Sequence, residues 1–125
     1  FNKANIYANS GENLKAVESY KEFLAIEPDN VQAYCYMGDC YEQEGRFDDA
    51  LASFRKVIKL DISDPEGWFG AGIVHYRMGN NTEAIACVLK ATELDKSNAD
   101  YWLNLGYIHE ETGEKKEVEI PPHLK

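Results

Sequence analysis

The stretch AYCYMGDCYEQEGRFDDALASFRKVIKLD, residues 33–61, decides the fold. Tyr34, Met37, Gly38 and Tyr41 stand at i, i+3, i+4 and i+7, the spacing of one face of an α-helix. Ala50, Phe54, Val57 and Ile58 repeat that spacing further along, so the segment predicts a second helix. Gly45 lies between the two, inside QEGRFDD, where a helix can end in a left-handed conformation at little steric cost. Strict alternation of apolar and polar residues, the signature of a half-buried strand, is missing from this stretch.

Sliding the chain against itself extends the reading outward. Gly11, Gly45, Gly79 and Gly113 stand 34 residues apart each time. Ala16, Ala50 and Ala84 share a second column, and Tyr34, Trp68 and Trp102 a third. Gly38, Gly72 and Gly106 share a fourth, with Ala4 in the same register. Tyr20, Phe54 and Val88 share a fifth. The segments IEPDN and LDISDP, before residues 31 and 65, each join a stop signal to an Asp or Asn suited to helix capping. Each repeat is therefore a helix, a tight turn, a second helix and a short loop.

These residues resemble the tetratricopeptide repeat (TPR) family. The key columns are filled in residues 33–61 by Tyr34, Met37, Gly38, Tyr41, Ala50, Phe54 and Val57. In GWFGAGIVHYRMGNNTEAIACVLKATELD, residues 67–95, Trp68, Gly72 and Ala84 fill them. The resemblance implies an all-α fold, an α-solenoid coiling as a right-handed superhelix of about three and a half helix-turn-helix units. In that register the array occupies 1–117, with units 1–30, 31–64, 65–98 and a partial 99–117. The first helix of unit one lacks about four residues at its start. Pro121 and Pro122 prevent a full last helix, so 118–125 is expected to be a tail.

Composition narrows the function. The chain has 125 residues, 44% hydrophobic and 28% charged, as expected of one folded domain. With 22 acidic against 13 basic residues its formal charge is −9, the wrong sign for nucleic acid. The longest uncharged run, from Gly67 to Tyr76, is far shorter than the roughly 20 residues that span a bilayer, so no membrane association is expected. No signal segment is visible, and three cysteines cannot all pair within the chain, which favours a reducing, cytoplasmic setting.

By the same resemblance, the first helices of successive units line a concave groove. Its columns hold Gln32, Cys35, Tyr36, Asp39, Glu42 and Gln43 in unit two and Glu66, Phe69, Gly70, Ile73, Tyr76 and Arg77 in unit three. Unit four offers Asp100, Leu103, Asn104, Tyr107, Glu110 and Glu111, and unit one Phe1, Asn2, Asn5, Ala8 and Asn9. Aromatic side chains on a rigid surface are common interface anchors. Tyr36, Phe69, Ile73, Tyr76, Leu103 and Tyr107 are thus expected to clasp a peptide or a partner's helix. Asp39, Glu66, Glu110 and their acidic neighbours favour basic residues flanking it, while Arg77 is the lone base. Part of this stripe could equally be contact between repeats, above all Ile73 and Tyr107.

The family's chaperone adaptors grip a C-terminal carboxylate with cations. Here the matching columns hold Phe1, Asn5, Tyr36, Glu66 and Gly70, or Cys35, Asp39, Gly70, Asp100 and Asn104, so like charge opposes such a tail. Cys35, Cys40 and Cys87 lack zinc-site spacing, and His75 and His109 replace a tyrosine of the core column. No catalytic residues, metal or cofactor are therefore expected. The leading reading is a non-catalytic interaction scaffold with a protein or peptide partner. Two alternatives stay open. One is a self-assembly module, a homo-oligomer joined end to end through Trp102 and Leu105, which have no second helix to cover them in unit four. The other is a regulatory segment of a larger protein.

Overall fold

The computed structural model describes residues 2–112, with seven α-helices and no strand among them. They are α1 (Asn2–Asn9), α2 (Asn13–Ile26), α3 (Val31–Gln43), α4 (Phe47–Leu60), α5 (Pro65–Arg77), α6 (Asn81–Leu94) and α7 (Ala99–Thr112). Helices α2, α4 and α6 start at 13, 47 and 81, and α3, α5 and α7 at 31, 65 and 99. The 34-residue period is therefore structural. Residues 118–125, expected to be a tail, lie outside the described residues, as does Gly113.

The turns form as their residues require. Gly45 has φ +74°, a region that an L side chain enters only with strain. It lets the Gly45 N–H donate to the Glu42 carbonyl at 3.0 Å and the Arg46 N–H to the Tyr41 carbonyl at 2.9 Å. These paired bonds close the end of α3 as a Schellman motif and satisfy carbonyls the helix leaves open. Helix starts are capped by a second periodic residue. Asn30 Oδ1 accepts from the Ala33 N–H at 2.9 Å, Asp64 Oδ1 from the Glu66 N–H at 2.9 Å, and Asn98 Oδ1 from the Tyr101 N–H at 3.3 Å.

The helices gather into two compact bodies, α1–α4 up to Ile62 and α5–α7 from Ser63. In the first, neighbouring helices pack in sequence order around Ala16, Tyr20, Ala33, Ala50, Phe54 and Val57, all at most 2% exposed. A Cβ on Gly38 would stand 2.8 Å from the Phe54 ring, so a bare backbone is what admits that ring. In the second body α6 lies against both α5 and α7. Its core is Ala84, Val88, Leu105 and Ile108.

That core corrects one expectation. Leu105, taken as uncovered and available for self-association, is 1% exposed and sits beside Ala84 and Val88 of α6. The reason is helical phase. Tyr101, Leu105 and Ile108 form an i, i+4, i+7 stripe, and all three are buried. Trp102, one step round the helix, is half-buried against the same core, and its indole N–H donates to the Lys96 carbonyl at 3.0 Å. Among the described residues no helix is long and apolar enough to cross a membrane.

Candidate interaction surfaces

In the first body the expected groove residues lie on α1 and α3. Tyr36 is 39% exposed, and its ring lies 6.0 Å from that of Tyr20 at 29°. Asp39, one turn further along α3, is exposed. Cys35, expected in the same surface, is instead buried at 4%. Between α1, α2 and α3 lies a cavity of about 370 Å³. Its walls carry four side-chain amides, Asn5, Asn9, Asn13 and Gln43, the rings of Tyr20 and Tyr36, and the Asp39 carboxylate.

Two polar contacts organise this cavity. The Tyr20 hydroxyl donates to Asn5 Oδ1 at 2.7 Å, joining α2 to α1. Burial, with smaller contributions from Cys40, Tyr36 and Asp39, pushes the Tyr20 phenol up to about 12, so it keeps its proton and remains a donor. Asn13 Nδ2 donates to Glu44 Oε1 at 3.0 Å, tying the start of α2 to the end of α3. This fixes the amide's orientation, because a flipped amide would set two oxygens against each other. Asn13 is 7% exposed, and its Oδ1 is shut off from solvent without a hydrogen-bond partner. An unsatisfied buried acceptor costs about 1–3 kcal/mol.

In the second body the expected stripe divides. Phe69, Ile73 and Tyr76 of α5 are partly buried and pack against the α6–α7 core. The Phe69 ring lies 4.6 Å from that of Tyr101, tilted 31°. Leu103 and Tyr107 of α7 are 62% and 54% exposed. Tyr107 meets Tyr76 edge-on, with centroids 6.1 Å apart at 72°. Partial burial, the hydrogen bond with Tyr107 and the charge of Glu111 hold the Tyr76 phenol above its ordinary value. Glu66, Arg77, Asp100 and Glu110 are exposed.

The cysteines are all free thiols, with Cys35 and Cys40 buried. Burial first, then the charges of Asp39 and Glu44, pushes the Cys40 thiol up to about 11, which suppresses the thiolate a nucleophile needs. Among the described residues no three His, Cys, Asp or Glu side chains form a group able to hold a metal ion.

Asn13 and the Tyr20 hydroxyl were not singled out in the sequence. A signal existed, since the column of Tyr20 holds Phe54 and Val88, and only Tyr20 brings a hydroxyl.

A sequence model of the tetratricopeptide repeat matches residues 1–65, and a TPR repeat model matches residues 75–113. The chain belongs to the tetratricopeptide repeat family. Solved structures agree with its TPR architecture. A crystal structure of MamA is 26% identical over 89% of this chain with a TM-score of 0.79. A MamA fragment from Desulfovibrio magneticus RS-1 is 20% identical with a TM-score of 0.80. The TPR chain spans about 65% of the first of these and 63% of the second. The first TPR of Spaghetti (RPAP3), bound to the HSP90 peptide SRMEEVD, is 18% identical, covers 90% of each chain and has a TM-score of 0.84, a likeness of fold. No curated protein matches the sequence significantly.

Proposed function

We propose that this TPR chain is a protein-interaction module whose first-helix faces bind a peptide or helix of a partner. The observation that carries the reading is the exposure of Tyr36, Leu103 and Tyr107, at 39%, 62% and 54%, at groove columns of the repeat. Large side chains held on packed helices lose little freedom on binding, which makes them efficient anchors. The acidic residues among them, Asp39, Glu66, Asp100 and Glu110, favour a partner with basic residues beside its apolar contacts. The related TPR of RPAP3 holds SRMEEVD, a peptide with three acidic residues. This chain's surface suits the opposite charge.

Phe69, Ile73 and Tyr76 serve this reading as support, since they are partly buried against the α6–α7 core. The test therefore uses the exposed anchors. A Tyr36→Ala, Leu103→Ala, Tyr107→Ala variant with an unchanged helical circular dichroism spectrum is compared with wild type in capture of binding proteins from a lysate. Loss of a wild-type partner from the variant is expected. Retention of the same partners by both would place binding elsewhere.

A further inference from the structure

We propose that the cavity between α1, α2 and α3 receives an arginine side chain of the bound partner. This deepens the reading above, since it assigns to one part of the groove face the basic residue that the charge favours. The cavity is about 370 Å³, at the small end of the range for ligand pockets, a size for one long side chain.

Its lining is polar, and its one charged group among the described residues is the Asp39 carboxylate. Asn13, a wall residue 7% exposed, carries an Oδ1 without a hydrogen-bond partner while its Nδ2 is committed to Glu44. Asp39 contributes a carboxylate at the rim, and Asn5, Asn9 and Gln43 contribute side-chain amides, each with an oxygen able to accept. Among the described residues no Lys or Arg lines the cavity, so Asp39 sets its sign. An anionic guest is thereby disfavoured and a cationic donor favoured.

Arginine fits better than lysine for two reasons. Its five N–H donors in one plane can reach several acceptors at once, where an ammonium acts as a point charge. The ring of Tyr36, 39% exposed and backed by the buried ring of Tyr20 at 6.0 Å, offers a flat wall on which a guanidinium stacks.

The probe is N-acetyl-L-arginine amide, titrated into the ¹⁵N-labelled 125-residue chain and read from backbone and side-chain amide signals. Two controls accompany it, the citrulline amide, which keeps the shape and loses the charge, and the lysine amide. Saturable shifts are expected at the Asn13 and Gln43 side-chain amides and at the Tyr36 and Asp39 backbone. Citrulline should bind at least about tenfold more weakly, with lysine between the two. Asp39→Asn, at an exposed position where the fold is not at stake, should weaken arginine at least about tenfold. Shifts that do not saturate, equal binding of citrulline, or indifference to Asp39→Asn would each overturn the proposal. Leu103 and Tyr107 belong to the other body and do not line this cavity. Partners retained by the Tyr36→Ala, Leu103→Ala, Tyr107→Ala variant would defeat the groove reading, whereas the titration is read on the wild-type chain with arginine amide alone. A failed titration would defeat the arginine site alone.

Discussion

Two glycines in one repeat column should respond to the same substitution by amounts that differ by about 1–3 kcal/mol. Gly72 lies in α5 and Gly106 in α7, 34 residues apart. Replacing an interior helical glycine by alanine gains about 0.8–1.0 kcal/mol from the backbone alone. At Gly106 an added Cβ meets nothing within 4 Å, so that gain should appear almost whole. At Gly72 the same atom would stand 2.6 Å from Val88 Cγ2, 3.2 Å from the Ala84 carbonyl oxygen and 3.2 Å from Cys87 Cβ. Val88 is stiff at χ1 and fully buried, and the carbonyl belongs to α6 itself, so neither can yield cheaply. Overpacking of this kind costs about 1–3 kcal/mol. The helix gain is common to both variants and cancels in their difference, which should be about 1–3 kcal/mol in favour of Gly106→Ala.

The assay is urea denaturation followed by tryptophan fluorescence. The two tryptophans, Trp68 and Trp102, lie on α5 and α7, so the signal reports the body in which both substitutions sit. Gly106→Ala should raise the midpoint and Gly72→Ala should fall below it by the stated margin, with similar slopes. Equal shifts would show that α5 and α6 do not approach as closely as the Gly72 geometry states.

Alkaline stability should depend on the first body's buried acids. Burial raises Tyr20 from 10.0 to about 12 and Cys40 from 9.0 to about 11. The folded state therefore keeps protons that the unfolded chain releases, so stability is whole below pH about 9 and falls as pH rises through 11 and 12. Urea midpoints across that range should fall less steeply in Tyr20→Phe and Cys40→Ala than in wild type, and indifference to both substitutions would count against the assignment. Native alkylation at pH 8 offers a separate check. Peptide mass mapping should find Cys87 modified before the buried Cys40, and reversal of that order would contradict the burial of Cys40.

What the residues disclosed in advance follows from periodicity. Helix starts, glycine turns and the Ala16, Ala50 and Ala84 contacts repeat, so each is read several times over and accidental departures average out. Leu105 was misplaced because neighbouring stripes of one helix differ by a single residue. Tyr101, Leu105 and Ile108 form one stripe, and Trp102, Gly106 and His109 the next. The division of the aromatic stripe was not legible either. The sequence points to Ile73 and Tyr107 as the contacts between repeats, yet Tyr107 is 54% exposed, while Phe69 packs on the α6–α7 core and against the ring of Tyr101.

On the proposed reading, specificity lies in the departures from the repeat. A column held by similar residues in every unit maintains stacking, so its chemistry says little about a partner. Tyr20 departs from Phe54 and Val88 by one hydroxyl, and that hydroxyl holds Asn5. Asn13 stands where the next repeat has Phe47, and its buried amide bonds Glu44. Tyr36 aligns with Gly70, so the ring that stacks on Tyr20 has no counterpart 34 residues later. Three departures thus meet in one cavity of one body. A purely structural repeat gains nothing from an amide oxygen buried without a partner. The proposed arginine site would gain, because a donor that satisfies the oxygen is then preferred over one that cannot reach it.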